Sequence, residues 1–555
     1  MTNHEVAYAL YEIADLLELK GEDAFKVIAY RKAGEEIEML PDEIESLAAS
    51  GQLLKVPAVG KAIAGKVQQL LTTGQMEFLE ELRRAVPPGV RELTQVPGLG
   101  AKTAALLFAR LGIASLDQLE LAARQGQLRD LPGVGVRKEA LILESLTKFR
   151  DRIRRVPVGA VRPVAEALAD FLRRHPAVRQ AGVAGSIRRR QETVEDIDLA
   201  AASETPEAVI EALLQLSIAG DVTERAPGQV RFTTSLGRTV DVVVVPPAEY
   251  ALTLMRMTGS SEHLRALGPL PQQAESEEAV YAALGLPYIV PELRENLGEI
   301  EAARGGRLPG LITVADLRGD LHVHTRASDG TATLLEMAEG ARALGHQYLA
   351  ICDHSPSLAV AGGLSVERMR THVAEIKKLN QLLKGIRLLC GAEVDILKDG
   401  SLDYPDAVLA ELDVVVASIH SHMNLDATVQ TERLLRAIAS PHVDIIGHPT
   451  GRVLARRDPY PLEFERVVEA CAVTGTALEI SASPARLDLS DVHARLAIGR
   501  GVKLVINTDA HSVPELGLLE HGVGQARRAW VEPGHVVNAM GLDELLAWLS
   551  KEKNA

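Results

Sequence analysis

The sequence has few cysteines and lacks any long apolar run. Its three cysteines, Cys352, Cys390 and Cys471, are too few for a disulfide framework, and each lies in or beside an apolar segment. We therefore expect a reducing, cytoplasmic location. No run of about 18 apolar residues occurs, so we expect no membrane-spanning helix. The first residues carry acids and lack the basic start and cleavage site of a signal peptide.

The chain also lacks the excess of positive charge that is typical of nucleic-acid binders. Its 75 acidic and 60 basic residues give a net charge of -15, which by itself argues against a phosphate-rich partner. A net charge is a sum over domains, however, and acids gathered around metal ions can hide a basic groove elsewhere. The length of 555 residues predicts about three to four domains. The 46% hydrophobic and 24% charged content excludes a disordered chain.

A motif of the form apolar-Pro-small-apolar-Gly occurs three times in the first third of the chain. The copies begin at Val56, Val96 and Leu131. Each copy ends on a glycine, Gly60, Gly100 or Gly135, and a helix with Lys or Arg follows. Glycine lets the backbone approach a phosphate at the positive end of that helix. The alternative is three ordinary helix corners, but the repetition favours phosphate binding. The motif resembles the helix-hairpin-helix, which binds the DNA backbone without reading its sequence.

Two carboxylates one residue apart follow a glycine loop in the next segment. Asp196 and Asp198 lie in a predicted strand, so both side chains point to one face. A second predicted strand, 240–245, carries Asp241 within an apolar run. Three converging acids suit two divalent ions, Mg²⁺ or Mn²⁺, in a phosphoryl transfer. The upstream Ser186 and Arg189 are suited to hold a triphosphate. A turn would be the alternative for the Asp-x-Asp pair alone.

Seven short apolar runs beyond residue 310 alternate with helical stretches. This alternation predicts a parallel sheet, closed into a barrel similar to the TIM type but one unit short. Ligand-type residues lie at six of the seven strand ends, where barrels carry their chemistry. They are His322, His324, Asp329, His354, Glu393, His420, His448, Asp509 and His511. Nine nitrogen and oxygen ligands predict two or three divalent ions, with Mn, Zn or Fe favoured. The sixth strand, which carries Glu479, is expected to contribute no ligand.

The first 300 residues resemble the family X DNA polymerases. The resemblance is carried by the hairpin repeats, the Gly-Ser-x-Arg-Arg motif at 185–189, the three aspartates and the Thr-Gly-Ser motif at 258–260. It implies a nucleotidyltransferase palm in which the three aspartates hold the catalytic ions. The residues that it implies for the incoming nucleotide are Gly185, Ser186, Arg189 and Gly259. For the 5′ phosphate of gapped DNA it implies Lys26, Tyr30 and Arg31. Lys66 lies where some members carry a lysine that forms a Schiff base with an abasic sugar.

The second half resembles the polymerase-and-histidinol-phosphatase (PHP) domain, from about residue 320 to 521. Its HxH, SDG, DH, GxE, SxH, GHP and DAH motifs all occur. A palm followed by this domain resembles the bacterial family X polymerases. The resemblance implies a Mn-dependent 3′–5′ exonuclease, with abasic-site endonuclease and 3′-phosphatase activities in such domains.

The expected fold is multidomain α+β and α/β. The expected domains are a DNA-binding domain at 1–84, fingers with helix-hairpin-helix motifs at 85–155, a nucleotidyltransferase palm at 156–255, a shortened thumb at 256–310 and a distorted seven-stranded (β/α)7 PHP barrel at 311–555.

Three departures from the family pattern affect the polymerase half. Glu195 replaces a glycine before the first catalytic aspartate, and Arg256-Met257 replaces an aromatic pair that screens the incoming sugar. The thumb is also short. These changes predict weak or poorly discriminating synthesis. In the barrel, Ser481 and Ser483 replace asparagines of the family, which leaves the metal ligands unchanged.

We therefore expect a monomeric DNA-repair enzyme that fills gaps and trims damaged 3′ ends, with gapped DNA and dNTPs as its partners and no membrane. The alternatives are a nuclease whose polymerase site is degenerate and a DNA-binding scaffold with structural metals. A histidinol phosphatase would leave the three hairpins unexplained.

Overall fold

The computed structural model describes residues 3–38, 40, 44–94, 96, 98–235 and 237–550. The chain divides into two compact units, Met1–Arg154 and Arg155–Ala555. Among the described residues no helix combines the length and the apolar character that crossing a membrane requires.

The first unit is helical. Its helices are α1 (Asn3–Leu19), α2 (Ala24–Glu38), α3 (Ile44–Ala49), α4 (Lys61–Thr73), α5 (Glu77–Ala85), α6 (Pro88–Leu93), α7 (Ala101–Leu111), α8 (Leu116–Arg124) and α9 (Gly135–Arg154). One apolar core runs from α1 to α9 and includes Leu10, Leu93 and Leu146. The predicted segments 1–84 and 85–155 therefore share a core.

The second unit begins with a mixed sheet. Its elements are β1 (Val156–Pro157), α10 (Val158–Arg174), β2 (Val178–Val183), α11 (Gly185–Arg188), β3 (Thr193–Val194), β4 (Asp196–Ser203), α12 (Pro206–Leu214), β5 (Ala219–Ala226), β6 (Gln229–Thr234) and β7 (Thr239–Val245). The strand order is β2-β4-β7-β6-β5, and only the β4–β7 pair is parallel. Val240, Val242 and Val244 alternate into the core, which leaves Asp241 on the other face.

Short helices connect the mixed sheet to the barrel. They are α13 (Tyr250–Thr258), α14 (Ser261–Leu267), α15 (Glu277–Ala283) and α16 (Glu299–Arg304). They enclose a small core around Met255 and Tyr281. Arg294 is fully buried there and donates from Nη1 to Oε1 of Glu277 at 2.5 Å.

Strands and helices alternate through the rest of the chain. The elements are β8 (Gly319–Val323), α17 (Leu334–Ala343), β9 (Tyr348–Ile351), α18 (Val366–Asn380), β10 (Arg387–Asp395), α19 (Asp406–Leu409), β11 (Val414–Ser418), α20 (Ala427–Ile438), β12 (Ile445–Ile446), α21 (Phe464–Thr474), β13 (Ala477–Ser481), α22 (Asp491–Gly499), β14 (Leu504–Asn507), α23 (Leu519–Arg528) and α24 (Leu542–Leu549).

The predicted seven-stranded parallel barrel is confirmed. The seven strands pair in chain order, every pair is parallel, and a parallel bridge between Val323 and Ala510 links the first strand to the segment after the last. Most strand residues are buried on both faces, as expected where side chains fill the barrel and helices cover it. All seven carboxyl ends therefore open on one face of the barrel.

Candidate metal centres

The parallel pair β4 and β7 brings the three predicted palm carboxylates together. Asp198 lies beside Asp241 in the register, and the alternate residues Ile197 and Val240 are buried in the core. Ligand oxygens of Asp196, Asp198 and Asp241 all lie within 4.8 Å of one another. Carboxylate oxygens at this spacing suit hard divalent cations.

Glycine is required at position 185 because the backbone there lies very close to the carboxylate of Asp198. Gly185 begins α11 with a φ of +59°, and a Cβ built there would lie 1.8 Å from Oδ2 of Asp198. No side chain fits in that space, so only glycine lets the start of α11 lie this close to Asp198. Ser186 is the next residue of α11 and is half-buried. Gly259, the other predicted nucleotide-binding glycine, ends α13.

The predicted triphosphate-binding Arg189 is held by protein groups. Its Nε donates to Oε1 of Glu295 at 2.9 Å, and its Nη1 donates to the carbonyl oxygen of Thr258 at 2.7 Å. Arg188 donates to the hydroxyl of Thr258 at 2.8 Å and to Glu277. Both arginines thus tie the Thr-Gly-Ser turn to the loop beside the carboxylates. A bound triphosphate would compete with Glu295 for the Arg189 guanidinium.

The palm carboxylates resist ionisation when no cation is bound. Burial, followed by the charges of Asp196 and Asp241, raises the pKa of Asp198 to about 7. Burial, then Asp241 and the exposed Glu195, also raises the pKa of Asp196. Like charges held close together disfavour the ionised form, and a cation removes that penalty.

Cation binding to the palm is expected to strengthen as the pH rises through 7. Below this pH Asp198 is protonated in the metal-free protein, and an incoming ion must displace the proton. The pKa of Asp198 is higher in the folded protein than in the unfolded chain. In the absence of a bound cation, raising the pH from about 4 to 7 therefore lowers the free energy of unfolding. The gain in Tm on adding Mg²⁺ should be larger at pH 8 than at pH 6. Asp198→Asn should remove that difference, and a wild-type gain independent of pH would refute the expectation.

All nine predicted barrel residues converge where the strands end, and Glu393 lies at their centre. Its Oε1 is 3.0 Å from Nε2 of His448 and 3.3 Å from Nε2 of His420. Its Oε2 is 2.9 Å from Nδ1 of His354 and 3.5 Å from Nε2 of His322. With His324 Nε2 also 3.7 Å from Oε2, five imidazoles surround this carboxylate, which is placed to bridge neighbouring cations.

The other ligand-type residues surround Asp329 and Asp509. Oδ2 of Asp329 lies 3.4 Å from Nε2 of both His354 and His511. Oδ1 of Asp509 lies 3.1 Å from Nε2 of His324. Within the described residues the barrel atoms form three overlapping groups, and His324, His354 and Glu393 each belong to two of them. This arrangement offers ligands for more than one ion.

The donor set fits divalent metal ions. Nε2 of His322, both ring nitrogens of His324 and Oε1 of Glu393 are buried, and none makes an aligned hydrogen bond to a described residue. Buried polar atoms are normally satisfied, so these atoms need a partner that the protein does not supply. Imidazole nitrogens together with carboxylate oxygens suit Mn, Zn or Fe.

Paired charges occupy the barrel site when it is metal-free. Burial lowers the pKa of His354, but Glu393 and Asp329 outweigh burial and raise it to about 10. Burial raises the pKa of Glu393, but the charges of His420, His322 and His354 outweigh burial and hold this pKa well below its usual range. Divalent ions would replace the protons on these histidines, so binding would release protons.

The sixth barrel strand, expected to contribute no ligand, carries a residue that contacts a candidate ligand. Glu479 on β13 is fully buried, and its Oε1 lies 2.8 Å from Nδ1 of His322. Its Oε2 accepts a hydrogen bond from the backbone N–H of His448 at 2.7 Å. A carboxylate on the second ring nitrogen sets the tautomer and orientation of a ligand histidine. Asp395 holds Nδ1 of His420 in the same way, at 3.2 Å. The sequence signal for Glu479 was an acid inside an apolar strand, which is costly unless paired.

The three hairpin glycines stand where helices begin. Gly60 and Gly100 directly precede α4 and α7, and Gly135 is the first residue of α9 with a φ of +61°. No atom lies within 4 Å of a Cβ built at any of the three. Open space beside free helix amides is what a phosphate contact requires.

The other predicted DNA contacts are partly engaged inside the first unit. Lys26 and Arg31 are exposed but form ion pairs with nearby carboxylates. Tyr30 is buried, and its ring stacks on Phe78 with 6.1 Å between centroids. Nζ of Lys66 lies 4.7 Å from the centre of the Phe78 ring. The exposed cations are free to exchange acid partners for a phosphate, since surface ion pairs contribute little.

Comparison with known families matches both halves of the chain. Residues 1–76 match a helix-hairpin-helix domain, residues 50–111 and 90–148 match a SAM-like helix-hairpin-helix tandem, and residues 320–483 match the PHP domain.

Two curated relatives show how far the similarity extends. DNA polymerase/3′-5′ exonuclease PolX of Bacillus subtilis is 36% identical over 99% of this chain and 100% of its own length. A probable phosphatase of Thermoanaerobacter sp. is 30% identical over 40% of this chain and 89% of its own length.

Proposed function

The chain belongs to the PolX family of bacterial family X DNA polymerases with a C-terminal PHP domain, and on that premise we propose that its two carboxylate-rich centres are two separate active sites on DNA. It is an enzyme, a DNA polymerase with a 3′–5′ exonuclease. The observation that carries the two-site assignment is that the palm and barrel ligand groups share no residue. We assign the polymerase to 156–255, the short thumb to 256–310 and the exonuclease to 311–555.

We assign nucleotide addition to the palm group. Asp196, Asp198 and Asp241 would hold Mg²⁺ or Mn²⁺, which when bound activates the primer 3′-hydroxyl and stabilises the leaving pyrophosphate. The register of β4 and β7 sets the spacing of the carboxylates. Gly185 keeps the space beside Asp198 free of side chains, and Ser186, the next residue of α11, would contact the triphosphate.

We assign hydrolysis of DNA 3′ ends to the barrel group. Its nine ligand-type residues would hold two or three ions, of which Mn, Zn and Fe suit the donors, and these ions would supply an activated water and charge stabilisation. Glu393 holds His354, His420 and His448 in one cluster, and Glu479 orients His322. Similarity to phosphatases over this half alone supports a hydrolytic role.

We assign most of the DNA affinity to the first unit. Backbone amides at Gly60, Gly100 and Gly135 would bind phosphates on the strands flanking a gap. Such contacts carry no sequence information, so affinity should fall as salt rises and should vary little with sequence. Cys352, Cys390 and Cys471 are all buried, and the protein also fits a reducing compartment.

Glu479→Gln is expected to lower metal affinity of the barrel by about 10- to 100-fold, the usual effect of removing an outer hydrogen-bond partner of a ligand histidine. Gln has nearly the same shape as Glu but no negative charge, so it stabilises the His322 ring less than the carboxylate does. The measurement is Mn²⁺ binding by equilibrium dialysis. Glu469→Gln, an exposed acid on the preceding helix, is the matched control. Equal affinity in both variants would show that Glu479 only fills space.

One assay tests the proposed function as a whole. A labelled primer on gapped DNA is incubated with Mn²⁺, with and without dNTPs. The wild-type protein should extend the primer when dNTPs are present and shorten it from the 3′ end when they are absent. Shortening without any extension would instead support a nuclease with a degenerate palm. Extension without shortening would mean that the barrel metals are structural.

A further inference from the structure

Arg486 gives the barrel cavity a permanent positive charge. The cavity has a volume of about 310 Å³ and is lined by the ligand cluster, by the apolar segment around Val360 and by Arg486. Among the described lining residues only Arg486 is a lysine or arginine. It follows β13 on the segment where Ser481 and Ser483 occur.

The Arg486 guanidinium makes no hydrogen bond to a residue in the described part of the chain and has one long ion-pair contact. Its Nε is 3.8 Å from Oδ2 of Asp509, too far for a hydrogen bond. The arginines nearby are engaged differently. Arg452 donates to both oxygens of Glu192, and Arg457 donates to the carbonyl oxygen of Gly451 at 2.8 Å. Arg486 is therefore the guanidinium at this site that is available to a ligand.

The segment that carries Arg486 is held on both sides. Pro484 packs so closely against the palm that a Cβ at Gly159 would lie 2.2 Å from it. Leu487 is 2% exposed and belongs to the palm core. The carbonyl oxygen of Ala485 accepts a hydrogen bond from the N–H of Leu454 at 2.7 Å. The guanidinium is thus presented to the cavity by an anchored backbone, which lowers the entropy cost of using it in binding.

We propose that Arg486 is a substrate-binding residue of the barrel and holds a non-bridging oxygen of the phosphodiester next to the 3′ end. This inference rests on the proposed exonuclease site. A planar guanidinium donates two parallel hydrogen bonds to phosphate oxygens, and such charge-assisted bonds are stronger than neutral ones. A cation held by Asp509 would neutralise the charge of that carboxylate and weaken its attraction for Arg486. The guanidinium would then be available to a phosphate oxygen.

The test compares Arg486→Ala and Arg486→Lys with wild type, all loaded with Mn²⁺. Arg436→Ala removes an exposed arginine of the same barrel, paired with Asp399, and serves as control. Loss of a charge-assisted contact predicts that KM for a 3′-ended oligonucleotide rises at least about ten-fold in Arg486→Ala. The Mn²⁺ content and Tm should stay unchanged, and Arg486→Lys should recover part of the affinity because it keeps the charge.

A second readout does not depend on catalysis. Titration calorimetry of orthophosphate into the Mn-loaded protein should give a weaker Kd in Arg486→Ala, by a similar factor, and an unchanged Kd in Arg436→Ala. An unchanged phosphate Kd overturns the inference, as does a loss of Mn²⁺ that accounts for the whole effect, since Arg486 would then only balance Asp509. A wild-type protein that binds phosphate through Arg486 but shortens no DNA would contradict the proposed exonuclease and leave the phosphate site standing.

Discussion

Replacement of both Asp196 and Asp198 by alanine is expected to abolish primer extension and to leave 3′–5′ degradation at the wild-type rate. The variant loses two of the three palm carboxylates, and Asp241 alone cannot hold the ions. The loss should exceed the roughly 10²- to 10³-fold that removal of a single charge-stabilising group costs. Degradation persists because no barrel ligand belongs to the palm group. The measurement is gel analysis of a labelled primer on gapped DNA in Mn²⁺, with and without dNTPs.

Glu204→Gln provides the matched control for this variant. Glu204 directly follows β4 and is exposed, so its loss changes the charge near the same strand without touching the carboxylate group. It should extend and degrade like wild type. A folded double variant that loses degradation as well would show that the two reactions share one site.

Glu393→Gln is expected to abolish 3′–5′ degradation and to leave primer extension intact. Both oxygens of Glu393 lie among the candidate ligand histidines, at distances from 2.9 Å for His354 to 3.7 Å for His324. The Gln amide is neutral and has one oxygen, whereas the Glu carboxylate is charged and has two. The amide is therefore a poor bridge between two cations. The loss should therefore exceed the roughly 10- to 100-fold effect of removing an outer partner of a ligand. Metal analysis of the purified variant should show fewer bound ions than in the wild-type protein.

Glu411→Gln is the control for the barrel. Glu411 pairs with Arg370 on the outer surface and does not line the cavity. It should retain the full metal content and degradation rate. If Glu393→Gln kept its ions and degraded DNA normally, the nine-residue cluster would not be the hydrolytic site.

Periodicity explains why so much of both centres was predictable from the sequence. In a strand, residues two apart share a face, so Asp196 and Asp198 had to point the same way. In a parallel barrel all strands end on one face, so ligand-type residues at successive strand ends had to converge. Neither argument needs a distance between strands. For that reason the residues of both groups could be named before their geometry was known.

Side-chain contacts between different strands and helices could not be predicted in this way. The sequence predicts no ligand on the strand of Glu479, yet this residue holds Nδ1 of His322. The sequence assigns Arg189 to a triphosphate but does not show that Glu295 and Thr258 bind its guanidinium. Arg486 carries no motif, and only the cavity identifies it. In each case the decisive partner lies on another element.

The sequence alone therefore determined the family, the order of the domains and the ligand-type residues of both centres, because local periodicity and motif spacing are properties of short segments. Only the tertiary structure decided that Glu393 is central to the barrel cluster, that Glu479 orients His322 and that Arg189 is paired with Glu295. His322 and Glu479 are 157 residues apart, and Arg189 and Glu295 are 106 apart. Contacts over such separations depend on strand register and on packing between elements, and these are set by the whole fold rather than by any one segment.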